Sequence, residues 1–242
     1  MVLSRNEIES MAVAVMNDFN SIFWEKSEIP YRSPQVTPID QFAKEYLGLD
    51  VSFYPLSKDG SFLGLTAYAE TEYVLNTNGT QRVIYLKKNQ IILDDAFIDP
   101  LRIRELCGKR RFTLAHECAH QILYALEQDE GKTACRRLYS ERKVYDKRSK
   151  RNNIDWIEWQ ADSLAAAILM PLQEIQAAME ILMPGKKLNT YGNKIPEESK
   201  CVISELCNIF GVSKTAMEIR LKHLGYIEDL PLSKFFSHTE VV

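Results

Sequence analysis

The chain has 242 residues, of which 45% are hydrophobic, and it carries a formal net charge of −3. This composition permits one substantial core with a small additional segment and excludes a general electrostatic attraction to nucleic acid. No apolar run approaches the ~18 residues of a membrane-spanning helix, and the N-terminus is not of the secretory type. The five cysteines are scattered without paired spacing. They predict reduced thiols in a cytoplasmic protein without membrane contact.

The first hundred residues predict two helices followed by short strands. The segment 4–7 matches a capping box and opens a helix that extends to about Phe23. A second helix starts after Pro38 and ends near Gly48. An Asn78-Gly79 turn is predicted to join the middle two of the four strands. The predicted strands are 51–54, 63–69, 83–86 and 90–93. An edge strand of such a sheet can hold an extended peptide through main-chain hydrogen bonds.

The most informative pattern is His-Glu-Cys-Ala-His at 116–120, in a segment without Pro or Gly. Residues four apart on a helix differ by ~40° and rise by ~6 Å, so His116 and His120 can reach one metal ion. Glu117 lies beside them at a different angle, where it can handle the proton of a metal-bound water. Cys118 points about 200° away from His116 and is predicted to be a small buried residue. The alternative is an ordinary helix with two partly exposed histidines.

A catalytic zinc usually has three protein ligands and one open position, so a third ligand is needed. Glu158 is the best candidate, in an Ala/Leu/Ile-rich segment that predicts a helix ending at Pro171. Asp162 lies four residues further on and shares a face with Glu158. There it can accept the other ring N–H of a zinc-bound histidine and so orient the ring. The alternative is that both acids merely solvate the outer side of a buried helix.

Two later segments invite interpretations other than catalysis. Residues 132–151 contain nine Lys or Arg and two acids. They form either a solvated insertion or a cationic flap that selects an acidic partner or touches nucleic acid. Residues 203–221 resemble a helix-turn-helix, whose second helix would offer Lys214, Thr215 and Lys222 to DNA. This segment has few cations for phosphate contacts, and two helices that brace the catalytic domain are the alternative.

The two helical motifs together resemble the ImmA/IrrE family of metallopeptidases. Residues 111–120 read Arg-Phe-Thr-Leu-Ala-His-Glu-x-x-His, and residues 158–171 read Glu-x-x-x-Asp-x-x-Ala-x-x-Ile-Leu-Met-Pro. Both motifs match almost position by position, and the resemblance covers about 37–225. It implies an α+β fold: a mainly helical, zincin-like metallopeptidase core with a small mixed β-sheet beside the active-site helix. A helix-turn-helix-like segment would follow at the C-terminus.

The resemblance also implies a function for the predicted site. One Zn²⁺ per chain would be bound by His116, His120 and Glu158, with Glu117 as the base and Asp162 behind the ligands. The zinc would polarise a water and the scissile carbonyl, and Glu117 would pass a proton to the leaving amine. The implied protein is a cytoplasmic zinc endopeptidase that cleaves a helix-turn-helix transcriptional repressor in a stress or mobile-element response. The alternatives are a DNA-binding regulator with a structural or sensing zinc, and a non-hydrolytic zinc protein that binds a repressor.

The same resemblance divides the chain into three parts. An N-terminal helix with a Pro-containing connection occupies 1–36, the zinc metallopeptidase core 37–184, and a helical C-terminal segment 185–242. Cys118 departs from the family pattern, in which small or aliphatic residues are usual. The basic insertion at 132–151 is also longer and more basic than usual, which points to substrate or partner specificity.

Overall fold

The structure is a computed structural model with an α+β fold, as predicted. It describes residues 2–27, 31–57, 60–77, 80–126, 135–139, 153–192 and 194–234. The helices are α1 (Arg5–Glu25), α2 (Ile39–Gln41, continued by a π-helical turn at Phe42–Tyr46), α3 (Ile103–Leu126), α4 (Asn153–Leu169), α5 (Leu172–Leu182), α6 (Glu197–Phe210) and α7 (Lys214–His223). The strands are β1 (Asp50–Tyr54), β2 (Phe62–Ala67), β3 (Thr71–Thr77), β4 (Thr80–Leu86), β5 (Gln90–Asp94), β6 (Cys135–Tyr139), β7 (Leu188–Thr190) and β8 (Ile227–Asp229). Within these ranges no single helix is long and apolar enough to cross a membrane; α4 and α5 pass such a test only jointly, across a 52° bend.

The largest sheet among the described strands lies beside α3. Its strand order is β1-β5-β2-β6. β1 runs parallel to β5, whereas β2 runs antiparallel to both of its neighbours. α3 packs against β2 and β5. The small mixed sheet that was predicted beside the active-site helix is therefore confirmed. Its outer strand β6 comes from the basic insertion 132–151, of which only 135–139 belong to the described residues.

The β3–β4 hairpin differs from the sequence prediction. β3 and β4 pair antiparallel over their whole lengths, so the connection at 78–79 joins these two strands. The prediction that this turn follows the strand at 63–69 is wrong, and β3 was missed. The turn residues themselves lie outside the described part of the chain. Polar Glu72 and apolar Val74 share the exposed face of β3, so apolar and polar residues do not alternate in its sequence.

The two helices that carry the predicted ligands pack against each other in the centre of the core. α3 and α4 are in contact along their lengths. Both contribute small, fully buried side chains, which let two helix backbones approach closely. These side chains are Ala115, Cys118 and Ala119 on α3 and Ala161 and Ala165 on α4. The thiol of Cys118 thus points into the core, as predicted, and burial raises its pKa well above the usual value.

The C-terminal helices belong to the same hydrophobic core as α3 and α4. A left-handed Gly211 ends α6, and the Ser213 hydroxyl accepts a hydrogen bond from the backbone N–H of Ala216 at the start of α7. Leu206 and Met217 are buried in the cluster that also contains the buried residues of α3 and α4. This packing agrees with helices that brace the catalytic domain. DNA binding by this segment stays a prediction.

A buried arginine ties α7 to the N-terminal helix. Arg220 is 3% exposed, its two terminal nitrogens lie 2.5 and 2.7 Å from the carboxylate of Glu9, and its Nε donates to the carbonyl of Met170. Arg220→Met is expected to lower the free energy of unfolding by about 2 to 4 kcal/mol, because it leaves the largely buried carboxylate of Glu9 without its charged partner. Urea denaturation measures this loss, and Lys222→Met, exposed on the same helix, is the control. A loss no larger than that of the control would contradict the prediction.

Candidate metal centre

The packing of α3 on α4 brings the three predicted metal ligands together. Nε2 of His116 lies 3.2 Å from one carboxylate oxygen of Glu158, and Nε2 of His120 lies 3.5 Å from the other. One ligand atom from each of the three residues lies within 4.8 Å of the others. Both histidine side chains are buried rather than partly exposed, whereas that of Glu158 is 27% exposed. The group is therefore reachable from solvent on the Glu158 side.

Asp162 orients the ring of His116. Its Oδ1 lies 2.9 Å from His116 Nδ1. Because a carboxylate can only accept, Nδ1 carries the proton and donates it to this bond. When a metal is bound, Nε2 would present its lone pair on the side of Glu158. This is the arrangement in which a histidine ligates a metal while a carboxylate holds its tautomer.

The three residues fit a divalent cation such as zinc. Nε2 of His116 is buried and, although close to Glu158, has no hydrogen bond of regular geometry. Two imidazole nitrogens and a carboxylate oxygen are a ligand set that zinc prefers. Burial opposes a charged ring, but the carboxylates of Asp162 and Glu158 raise the pKa of His116 to about 10. Burial likewise favours protonation of Glu158, yet its contacts with the two histidines hold its pKa well below the usual range. The site thus stabilises positive charge at the point where the ligands meet.

Glu117 lies beside this group in a fully enclosed position. Its side chain is buried, and neither carboxylate oxygen has a hydrogen-bond partner within the described structure. Burial raises the pKa of Glu117 to about 8; the charge of His116 opposes this shift and that of Glu158 adds to it. A pKa near neutrality suits a group that must take up a proton and release it again.

Gly64, the neighbour of Glu117 in β2, was not among the site residues predicted from the sequence. A Cβ atom added to Gly64 would lie 2.6 Å from Glu117 Oε1, so the strand backbone touches the carboxylate. Gln121, one turn further along α3, donates to the hydroxyl of Thr66 in the same strand. The available signal was a glycine inside a strand, which often marks a close approach of the backbone to another group.

The predicted DNA-contacting residues do not belong to this centre. Lys214, Thr215 and Lys222 are exposed on α7. Lys214 Nζ lies 3.8 Å from a carboxylate oxygen of Glu218 on the same helix. The turn before α7 packs near Gly108 at the start of α3, away from the ligands. The structure therefore separates these residues from the metal ligands.

The fold and the site define a zincin-like metallopeptidase: two histidines and a carboxylate from neighbouring helices converge beside a small sheet, with a buried glutamate next to the first histidine. Residues 107–222, which run from α3 into α7, match the model of peptidase family M78, the IrrE N-terminal-like domain. This match confirms the resemblance to the ImmA/IrrE family of metallopeptidases that was seen in the sequence. No curated protein matches the chain.

Proposed function

We propose that the chain is a zinc-dependent endopeptidase of the cytoplasm that cleaves a helix-turn-helix transcriptional repressor in a stress or mobile-element response. The observation that carries the enzymatic part is the convergence of His116, His120 and Glu158 beside a buried Glu117. The match of residues 107–222 to the IrrE N-terminal-like peptidase domain supports peptide hydrolysis. The repressor as substrate rests on what the family resemblance implies.

The protein's own residues have separate tasks in this reaction. Bound zinc supplies a Lewis acid that polarises a water molecule and the scissile carbonyl. Glu117 takes the proton of the water and delivers it to the leaving amine. Asp162 keeps the His116 ring in the tautomer that presents Nε2. The backbone of β2 packs over Glu117 and keeps bulk water away from this side of the carboxylate.

The sheet offers a place for an extended substrate. β2 touches Glu117, and β6 is its outer neighbour in the sheet order. An extended peptide can add to the outer edge of β6 by main-chain hydrogen bonds. β6 lies within the segment 132–151, which has nine cations and two anions, net +7, whereas the rest of the chain, with 21 cations and 31 anions, is net −10. This charge distribution favours a substrate that is acidic near its cleavage site.

The proposal is tested by comparing new protein N-termini in host cells that express the wild type or Glu117→Gln, with and without DNA damage. A fragment that forms only with the wild type is expected, and its sequence identifies both substrate and bond. Acidic residues on either side of that bond would support the role given to segment 132–151. No difference under any stress, with zinc measured in both proteins, would contradict hydrolysis and favour a binding or DNA-regulatory role.

A further inference from the structure

We propose that Gly64 is a positioning residue, whose backbone in β2 holds the carboxylate of Glu117 beside the metal ligands; this rests on the proposed role of Glu117 as the base. A Cβ on Gly64 would lie 2.6 Å from Glu117 Oε1 and 2.9 Å from Thr113 Cγ2. The Thr113 hydroxyl donates to the carbonyl of Lys109 at 2.9 Å, and this bond holds the methyl group toward β2. A larger residue at position 64 must therefore displace the carboxylate of Glu117 or the methyl group of Thr113.

Space, rather than backbone conformation, requires glycine at this position. The glycines with positive φ in the described chain do not include Gly64. The register of β2 with β6 shifts between Phe62 and Gly64, but the φ of Gly64 lies outside the left-handed region that disfavours alanine. Glycine within a strand lowers stability through its extra freedom when unfolded and its lack of a side chain to pack. Its presence here is explained by the close approach of the strand to the active-site helix.

β2, the strand that packs against Glu117, is held by neighbours on several sides. Gly64 is paired with Leu93 of β5 and with Leu138 of β6, so β2 lies between two neighbours. Gln121 Nε2 donates to Thr66 Oγ1 at 2.7 Å, which ties β2 to α3 one helical turn beyond Glu117. The strand therefore cannot withdraw to make room for a side chain without breaking these bonds.

No hydrogen bond within the described structure orients the carboxylate of Glu117 against β2. Neither of its carboxylate oxygens has a hydrogen-bond partner within the described structure. Because even a Cβ on Gly64 would lie only 2.6 Å from Oε1, the backbone of β2 limits where the carboxylate can lie on this side. A displacement of ~1 Å in a group that must meet its reactant at hydrogen-bonding distance can cost ~100-fold in rate. The effect of Gly64 on catalysis is transmitted through Glu117.

The contact is tested first by stability, without a substrate. Gly64→Ala is expected to lower the melting temperature of the purified protein by roughly 4 to 8 °C. In a background of Glu117→Ala with Thr113→Ser, both atoms that meet the new methyl group are gone, and the same change is expected to cause no loss. Glu105→Ala, exposed on α3, is the control background and should leave the loss unchanged. Equal losses in all backgrounds would overturn the proposal.

The positioning role is tested by hydrolysis of a peptide that spans the bond identified in cells. Gly64→Ala is expected to lower kcat by about 10- to 100-fold, with KM within about threefold and the zinc content unchanged. An unchanged kcat, or a loss that lies in KM or in zinc content, would overturn the role. Absence of hydrolysis by the wild type would instead refute the proposed function. The melting-temperature comparison does not depend on catalysis and therefore separates the two failures.

Discussion

Replacing Glu117 by glutamine is expected to lower peptide hydrolysis by about 10²- to 10⁴-fold, the usual contribution of a general base. Glutamine has nearly the same shape but cannot accept a proton from the attacking water. The metal ligands His116, His120 and Glu158 are untouched, so zinc content is expected to stay the same. The melting temperature should not fall either, since the native carboxylate is buried without a hydrogen-bond partner in the described structure. The measurements are single-turnover hydrolysis and zinc content on the same samples.

The control for this variant is Glu105→Gln, an exposed glutamate on the same helix. It makes the same chemical change on α3 away from the ligands and should leave hydrolysis unaltered. Retained hydrolysis in Glu117→Gln would refute the role of Glu117 as base. A protein that acts only by binding a repressor would behave alike with either residue at position 117. The comparison therefore separates the endopeptidase from the non-hydrolytic alternative.

The relative positions of the candidate ligands on each helix were predictable because they depend on helix geometry. A spacing of four residues places His116 and His120 on one face of α3, and the same spacing relates Glu158 to Asp162 on α4. These relations hold wherever the helices lie. The meeting of the two helices is a tertiary event, and it was inferred from the family resemblance rather than from the spacing. The structure shows that small buried residues, such as Ala115 and Ala161, accompany that contact.

The surroundings of Glu117 could not be predicted, because they depend on non-local strand pairing. β1 joins β5 in parallel, and β2 reaches the active-site helix only through its place between β5 and β6. Nothing in the local sequence of β2 indicates which helix Gly64 will meet. The hairpin error has the same origin, because β3 becomes a strand through its pairing with β4 and shows little apolar alternation. The burial that raises the pKa of Glu117 depends on the packing of β2 over its carboxylate, so it could not be foreseen from the local sequence.

Replacing Glu158 by alanine is expected to weaken zinc binding by more than ~100-fold. Loss of an outer hydrogen-bond partner alone typically costs 10- to 100-fold in metal affinity, and a direct ligand contributes more. Asp162→Ala, which removes only the partner of His116 Nδ1, is the graded comparison and should fall within that smaller range. Competition with a zinc chelator measures both affinities. Unchanged zinc binding in Glu158→Ala would mean that the third ligand lies elsewhere.

The same variant should also lose the stabilisation that zinc confers on the folded state. A ligand that binds only the folded protein raises its free energy of unfolding by RT ln(1 + [L]/Kd). The wild type should therefore melt at a higher temperature as zinc is added. In Glu158→Ala this zinc-dependent increase is expected to vanish at micromolar zinc, together with hydrolysis. Glu117→Gln should keep the increase and lose only hydrolysis. Opposite behaviour of the two variants would reverse the assignment of ligand and base, because only a ligand couples zinc to folding.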